Sequence, residues 1–136
     1  MPWTTDYLTA GAHIAFSGLI TGDDIFRAKA EAYTREYESG LRFVVLDYEA
    51  VEDFDVDRGD VDRTVTQDRA AARGVLPDLS VVAIAPQPAA YGVARLWEAQ
   101  MGSTGWRTSV VRSRAEAFDW LAKSGIPTED LPAVLD

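Results

Sequence analysis

Cysteine is absent from this 136-residue sequence. That excludes disulfide staples, thiolate metal sites and cysteine nucleophiles together, and it fits a reducing compartment. Asparagine is absent as well, so no N-glycosylation signal exists. Lysine occurs only as Lys29 and Lys123, neither preceded by glycine. The chain therefore has no phosphate-binding Gly-Lys loop, and no G-x-G-x-x-G fingerprint accompanies it. His13 is the single histidine, and on a strand it reads as a packing or hydrogen-bonding residue. No serine sits in a nucleophile elbow. The longest apolar runs, such as "VVAIA", fall far short of the roughly 20 residues of a membrane span. The opening "MPWTTDYLTAG" lacks the basic start and apolar core of a signal peptide. These absences together lead us to expect a cytoplasmic protein without a membrane span.

Carboxylates are plentiful: 22 acidic residues face 13 basic ones, for a formal net charge of −9. Such a surface repels phosphate backbones, so no nucleic-acid partner is expected. It serves solubility, or it selects a basic partner. The length suits a single domain able to bury roughly two-thirds of its unfolded surface.

Along the chain, apolar patterns alternate between strand and helix periods. "HIAFSGLI" (13–20) reads as a strand with Ile14 and Phe16 on one face. Thr21 and Asp24 form a capping box for a helix with Phe26, Ala30, Tyr33 and Tyr37 on its apolar side. "LRFVVLDY" (41–48) and "LSVVAIAP" (79–86) read as buried parallel strands. Between them Val61, Val65 and Ala72 trace a helix. Ala90, Val93, Ala94, Trp97 and Met101 trace the next helix, "WRTSVVR" (106–112) is a strand, and Ser113 with Glu116 caps a last helix containing Phe118, Trp120 and Leu121. "TTDYLTAG" adds a first strand, which could pair in a homodimer, and "TEDLPAVLD" a closing turn. Alternating strands and helices imply an α/β fold with parallel pairing and right-handed crossovers.

The segment "DYEAVEDFDVDRGDVDR" (47–63) holds eight carboxylates in seventeen positions. Asp53, Asp55 and Asp57 have calcium-loop spacing. Arg58 stands where that loop needs glycine, however, and Thr64 where it needs a bidentate Glu. Asp47 ends a buried strand, where doubly wound sheets place their chemistry. It is the candidate for a Mg²⁺-dependent phosphoryl acceptor, with Asp23 and Asp24 as further acids; the alternative is a strand-end carboxylate tied to loop amides. Asp57, three residues before Asp60, suits an N-cap. Asp60 and Asp62 would sit near that helix's positive end, and Arg69 and Arg73 near its negative end. No cofactor, metal or catalytic residue is assigned.

Four segments carry a family resemblance: "GLITGDDIFRA" (18–28), "FVVLDYEAVEDFDVDRGDV" (43–61), "VVAIAPQPAAYGVARLWEA" (81–99) and "SRAEAFDWLAKSG" (113–125). Together they resemble the SpoIIAA-like group of STAS-type domains. The resemblance implies an α/β, SpoIIAA-like (β/α) superhelix over residues 1–136. Its sheet would be mostly parallel, with four or five strands and helices packed on it, related to the CRAL-TRIO lipid-binding fold. It also implies a non-enzymatic regulatory domain with a protein partner. In the better understood members, a serine at the start of the helix after the second buried strand is phosphorylated as a switch. The matching place here is "DFDVDRGD", and no serine occurs between Ser39 and Ser80. Nearby hydroxyls are Tyr48, Thr64 and Thr66. Asp57 is either a fixed negative charge in the serine's place or simply a cap. The expected contact region is Asp53, Asp55, Asp57 and Arg58, with Gln87 and Tyr91 on the adjacent loop. A second reading, prompted by the CRAL-TRIO relation and by Trp97, Trp106 and Trp120, is a carrier or sensor of a small apolar ligand.

Overall fold

The computed structural model describes residues 2–34 and 40–126. Tyr37 and "TEDLPAVLD" lie outside them. Five strands, β1 (Trp3–Tyr7), β2 (Gly11–Thr21), β3 (Phe43–Asp55), β4 (Ser80–Ile84) and β5 (Arg107–Val111), form one sheet in the order β1-β2-β3-β4-β5. β1 runs antiparallel to β2, and the remaining neighbours are parallel. Helices α1 (Gly22–Thr34), α2 (Arg58–Arg73) and α3 (Pro88–Gln100) connect the parallel strands, and α4 (Arg114–Lys123) follows β5.

Each crossover steps the chain one strand further in the same direction. Right-handed connections then put every crossover helix on the same face. Ile14, Phe16, Val44, Leu46, Val81 and Ala83 accordingly pack against α1, α2 and α3. The alternate residues Phe43, Val45, Val82 and Ile84 point the other way, against Ala117 and Leu121 of α4. Both faces of the central strands are dry, so these segments carry unbroken apolar runs instead of alternation. Gly11 is required where β2 meets β3: a Cβ there would stand 2.3 Å from the Phe43 ring.

All three expected caps are present. Asp24 N–H donates to Thr21 Oγ1 and Thr21 N–H to Asp24 Oδ2. Asp57 and Asp60 form the reciprocal pair at α2, and Ser113 accepts from Glu116 N–H at α4. The α3 stripe also stands, with Ala90, Ala94, Trp97 and Met101 buried. The apolar side of α1 needs correction. Ala30 is exposed and Phe26 only half-buried, whereas Ile25, Ala28, Lys29, Ala32 and Tyr33 face inward. The helix is turned by about one residue because Lys29 has an interior partner.

That partner is Asp68, which lies on the α2 stripe between Val65 and Ala72 and is fully buried. Its carboxylate accepts from Lys29 Nζ at 2.8 Å, Trp97 Nε1 at 2.7 Å and the Tyr33 hydroxyl at 2.7 Å. One carboxylate thus joins α1, α2 and α3. Burial, and then the charge of Asp68, holds the Tyr33 phenol well above its ordinary pKa. Asp68→Ala should cost about 3–5 kcal/mol in chemical denaturation, because Lys29 is left charged and unpaired in the interior. Lys29→Met combined with Asp68→Leu should recover at least about half of that loss, the residue being the unpaired donors of Tyr33 and Trp97. A cost for Asp68→Ala below about 1 kcal/mol would contradict this assignment.

Candidate functional site

The acidic segment is built on a strand that outlasts its neighbour. β4 stops opposite Asp47, yet β3 continues to Asp55 paired with β2 alone. The expected strand end at Asp47–Tyr48 is thereby corrected. β2 is two residues shorter, 11 against 13, yet its residues 17–21 keep partnering β3 as far as Thr21↔Asp55. The strand pattern was obscured because β3 carries an extra residue twice, once between the pairs Ala15↔Asp47 and Ser17↔Ala50 and again between Gly18↔Val51 and Leu19↔Asp53. Each bulge resets the alternation of faces. Tyr48, Val51 and Phe54, spaced by three, therefore all turn toward the helix layer. Tyr48 stacks on Phe16 at 5.0 Å and meets Phe54 edge-on at 5.4 Å. Glu49, Glu52, Asp53 and Asp55 are left facing solvent.

Past the end of β4, the carbonyls on that edge of β3 need other donors. Gln87 supplies them: its side-chain amide donates to Tyr48 O at 2.8 Å and Val51 O at 2.9 Å. Gln87 is also the N-cap residue of α3, where its side chain makes no capping bond. This expected contact residue is thus committed to holding the bulged strand. Tyr91, one turn into α3, lies under the Arg112 guanidinium at 4.1 Å.

Asp57 and Asp60 close the segment. Asp57 Oδ1 accepts from Asp60 N–H at 2.9 Å, and Asp60 Oδ2 from Asp57 N–H at 3.0 Å. The Asp60 side chain lies against Gly22 at the start of α1, where a Cβ would come within 2.1 Å of it. Arg58 is exposed and reaches Asp62 at 3.9 Å. Thr64 is buried, with its hydroxyl on Val61 O, while Thr66 is exposed and bonded to Asp62 O. Among the described residues no group of three or more His, Asp or Glu side chains could hold a metal ion.

Asp47 faces the other side of the sheet, with α4, and is 2% exposed. Its Oδ2 meets His13 Nε2 at 2.9 Å and Arg114 at 3.4 Å, and its Oδ1 accepts from Glu49 N–H at 3.0 Å. Arg114 also bonds Glu49. Burial alone would raise the Asp47 pKa. The His13 bond, the Glu49 amide and the Arg114 charge outweigh it and hold the carboxyl below its usual range. Asp24 caps α1, and Asp23 pairs with Arg27 and Arg63. The three acids of the phosphoryl-transfer reading are thus all engaged within the protein.

Between α1, α2, α3 and the sheet lies a cavity of about 30 Å³ bordered by Ile25, Leu46, Tyr48, Val61, Val93 and Trp97. That is room for about one water, far below the roughly 300–1,000 Å³ of small-molecule sites. Of the tryptophans that suggested an apolar ligand, only Trp97 borders it. Trp106 is buried with Nε1 on Leu76 O, and Trp120 packs on the α4 side.

Sequence reasoning missed the Asp68 junction and the Asp47–His13–Arg114 cluster. The signal for the first was a carboxylate standing in an apolar helical stripe. The second joins residues 34 and 67 positions from Asp47, and no local pattern announces it.

The solved structure of the anti-sigma factor antagonist SpoIIAA in its unphosphorylated form is similar to this chain. The likeness covers 88% of this chain and 97% of that one, with a TM-score of 0.56 and 13% identity. No protein-family model and no curated protein sequence matches the chain. The architecture is thus that of the STAS-like fold, α/β with a mostly parallel five-stranded sheet. No helix among the described residues is long and apolar enough to cross a membrane.

A pH titration checks the Asp47 cluster. A carboxyl whose pKa is lowered by folding adds stability that is complete above its unfolded value, about 3.9. That stability is lost as pH falls through the folded value. Asp47→Asn should cost about 1–3 kcal/mol at neutral pH and flatten the acid side of the urea-midpoint profile. An acid limb as steep as that of the wild type would contradict the assignment.

Proposed function

We propose that this chain is a non-enzymatic regulatory domain that binds a protein partner through the outer face of the β3 extension and the first turn of α2. The observation that carries the reading is the position of the capped turn. By the sequence resemblance this turn would correspond to the serine switch of the better understood members; it carries Asp57 in a reciprocal cap with Asp60, in a chain with the STAS-like fold. Glu52, Asp53, Asp55, Asp57 and Arg58 are exposed around it, which suits a partner with a basic contact surface. With no serine in the turn and Thr64 buried, its negative charge comes from carboxylates and needs no phosphorylation. Asp57 acts first as a cap, and its neighbours supply most of the negative field. Gln87, bonded to the Tyr48 and Val51 carbonyls, and Tyr91, under Arg112, complete the proposed contact region.

The apolar-ligand reading would require the 30 Å³ cavity to enlarge severalfold. Phosphoryl transfer through Asp47 would require that buried carboxylate to leave His13 and Arg114.

Affinity capture from the source cell, followed by titration of the recovered partner, tests the proposal. Asp57→Asn keeps a good N-cap and should bind within about threefold of the wild type. Asp57→Lys should weaken binding by more than about tenfold and make it less salt-sensitive. Binding unchanged by Asp57→Lys, in protein whose fold is verified by circular dichroism, would remove this turn from the interface.

A further inference from the structure

At the other end of α2 lies an open cleft of about 350 Å³, lined by Arg69, Ala72 and Arg73 of the helix and by Ser103 and Thr104 of the loop between α3 and β5. In a chain whose acids outnumber its bases 22 to 13, its lining contains no carboxylate. Most arginines elsewhere are neutralised: Arg27 and Arg63 by Asp23, Arg58 by Asp62, Arg95 by Glu98, Arg107 by Asp78 and Arg114 by Asp47 and Glu49. Arg69 and Arg73 have no ion-pair partner among the described residues.

The two are four positions apart on one helix, where like charges repel. The negative end of the helix favours Arg73 in the last turn. Arg69 lies one turn further in, and its guanidinium is fixed by donation to Gln100 O at 2.8 Å. Its Nε is closed off from solvent with no acceptor among the described residues. Negative charge placed in the cleft would offset the mutual repulsion of the two guanidinium groups. On the opposite wall, Thr104 donates to Met101 O and accepts from Trp106 N–H. These bonds fix the loop and leave the exposed Ser103 hydroxyl as the wall's donor. A pre-positioned guanidinium, a second and exposed one, and a hydroxyl on a fixed loop make a donor set for a tetrahedral oxyanion.

We propose that this cleft binds the dianionic phosphate group of a small molecule or free phosphate, with Arg73 and Ser103 as direct donors and Arg69 as the fixed charge beneath. The site is independent of the partner surface at the Asp57 turn, which lies about 24 Å away along a sixteen-residue helix at 1.5 Å per residue. Its test needs no partner.

Amide chemical shifts of the full chain can be followed while inorganic phosphate or O-phosphoserine is added at constant ionic strength, with chloride as the reference salt. The expected result is saturable shifts at Gly102, Ser103 and Thr104. Arg73→Ala should weaken binding by about tenfold, Ser103→Ala by a smaller factor, and Arg112→Ala, at the far end of the sheet, not at all. Binding of both ligands supports a site open to phosphate monoesters, and binding of phosphate alone supports a free-ion site. No saturable response to either ligand, or equal responses from the wild type and both the Arg73→Ala and Ser103→Ala proteins, overturns the proposal.

Discussion

The acid-rich end of the molecule depends on a backbone constraint: β3 runs on beyond β4 with β2 as its only strand partner among the described residues. A strand in that position leaves a row of carbonyls without a ladder, and it must still bury its aromatic residues. Two bulges and one glutamine meet both demands. The bulges bring Tyr48, Val51 and Phe54 onto the helix-facing side, and Gln87 bonds the carbonyls of Tyr48 and Val51. Glu52, Asp53 and Asp55 are then left to solvent, while Glu49 meets Arg114. The acid-rich outer surface is therefore a consequence of how the inner surface packs, and the Asp57–Asp60 cap fixes where it ends.

A second constraint holds the helices under that surface. Three crossover helices on one face leave few contacts that discriminate their relative positions, since apolar side chains tolerate sliding. The Asp68 carboxylate, with two donors from α1 and one from α3, ties both helices to α2 at one point. The start of α1 is then held against the first turn of α2, where Gly22 leaves no space beyond the Asp60 side chain. The Asp57 turn is thus supported from both sides: by the β3 extension before it and by α1 beside it.

What the sequence revealed follows from how local each signal is. The three caps, the α3 stripe and the parallel strands depend on residues within a few positions of one another, and all were legible. The inward turn of Lys29 was not, because only a carboxylate 39 residues away makes that burial tolerable. The length of β3 was hidden because its bulges convert a period of two into a period of three, which reads as neither strand nor helix. The candidate site was half legible. The Asp57 cap is a local pattern, but the task of Gln87 depends on where another strand happens to stop.

Hydrogen–deuterium exchange resolved to peptides across β3 tests most directly whether the acidic segment is strand or loop. If β3 continues to Asp55, a peptide spanning residues 49–56 should exchange far more slowly than unstructured chain, with protection approaching that of residues 43–48. Exchange across residues 49–56 at the rate of an open loop, beside a protected 43–48, would contradict the account.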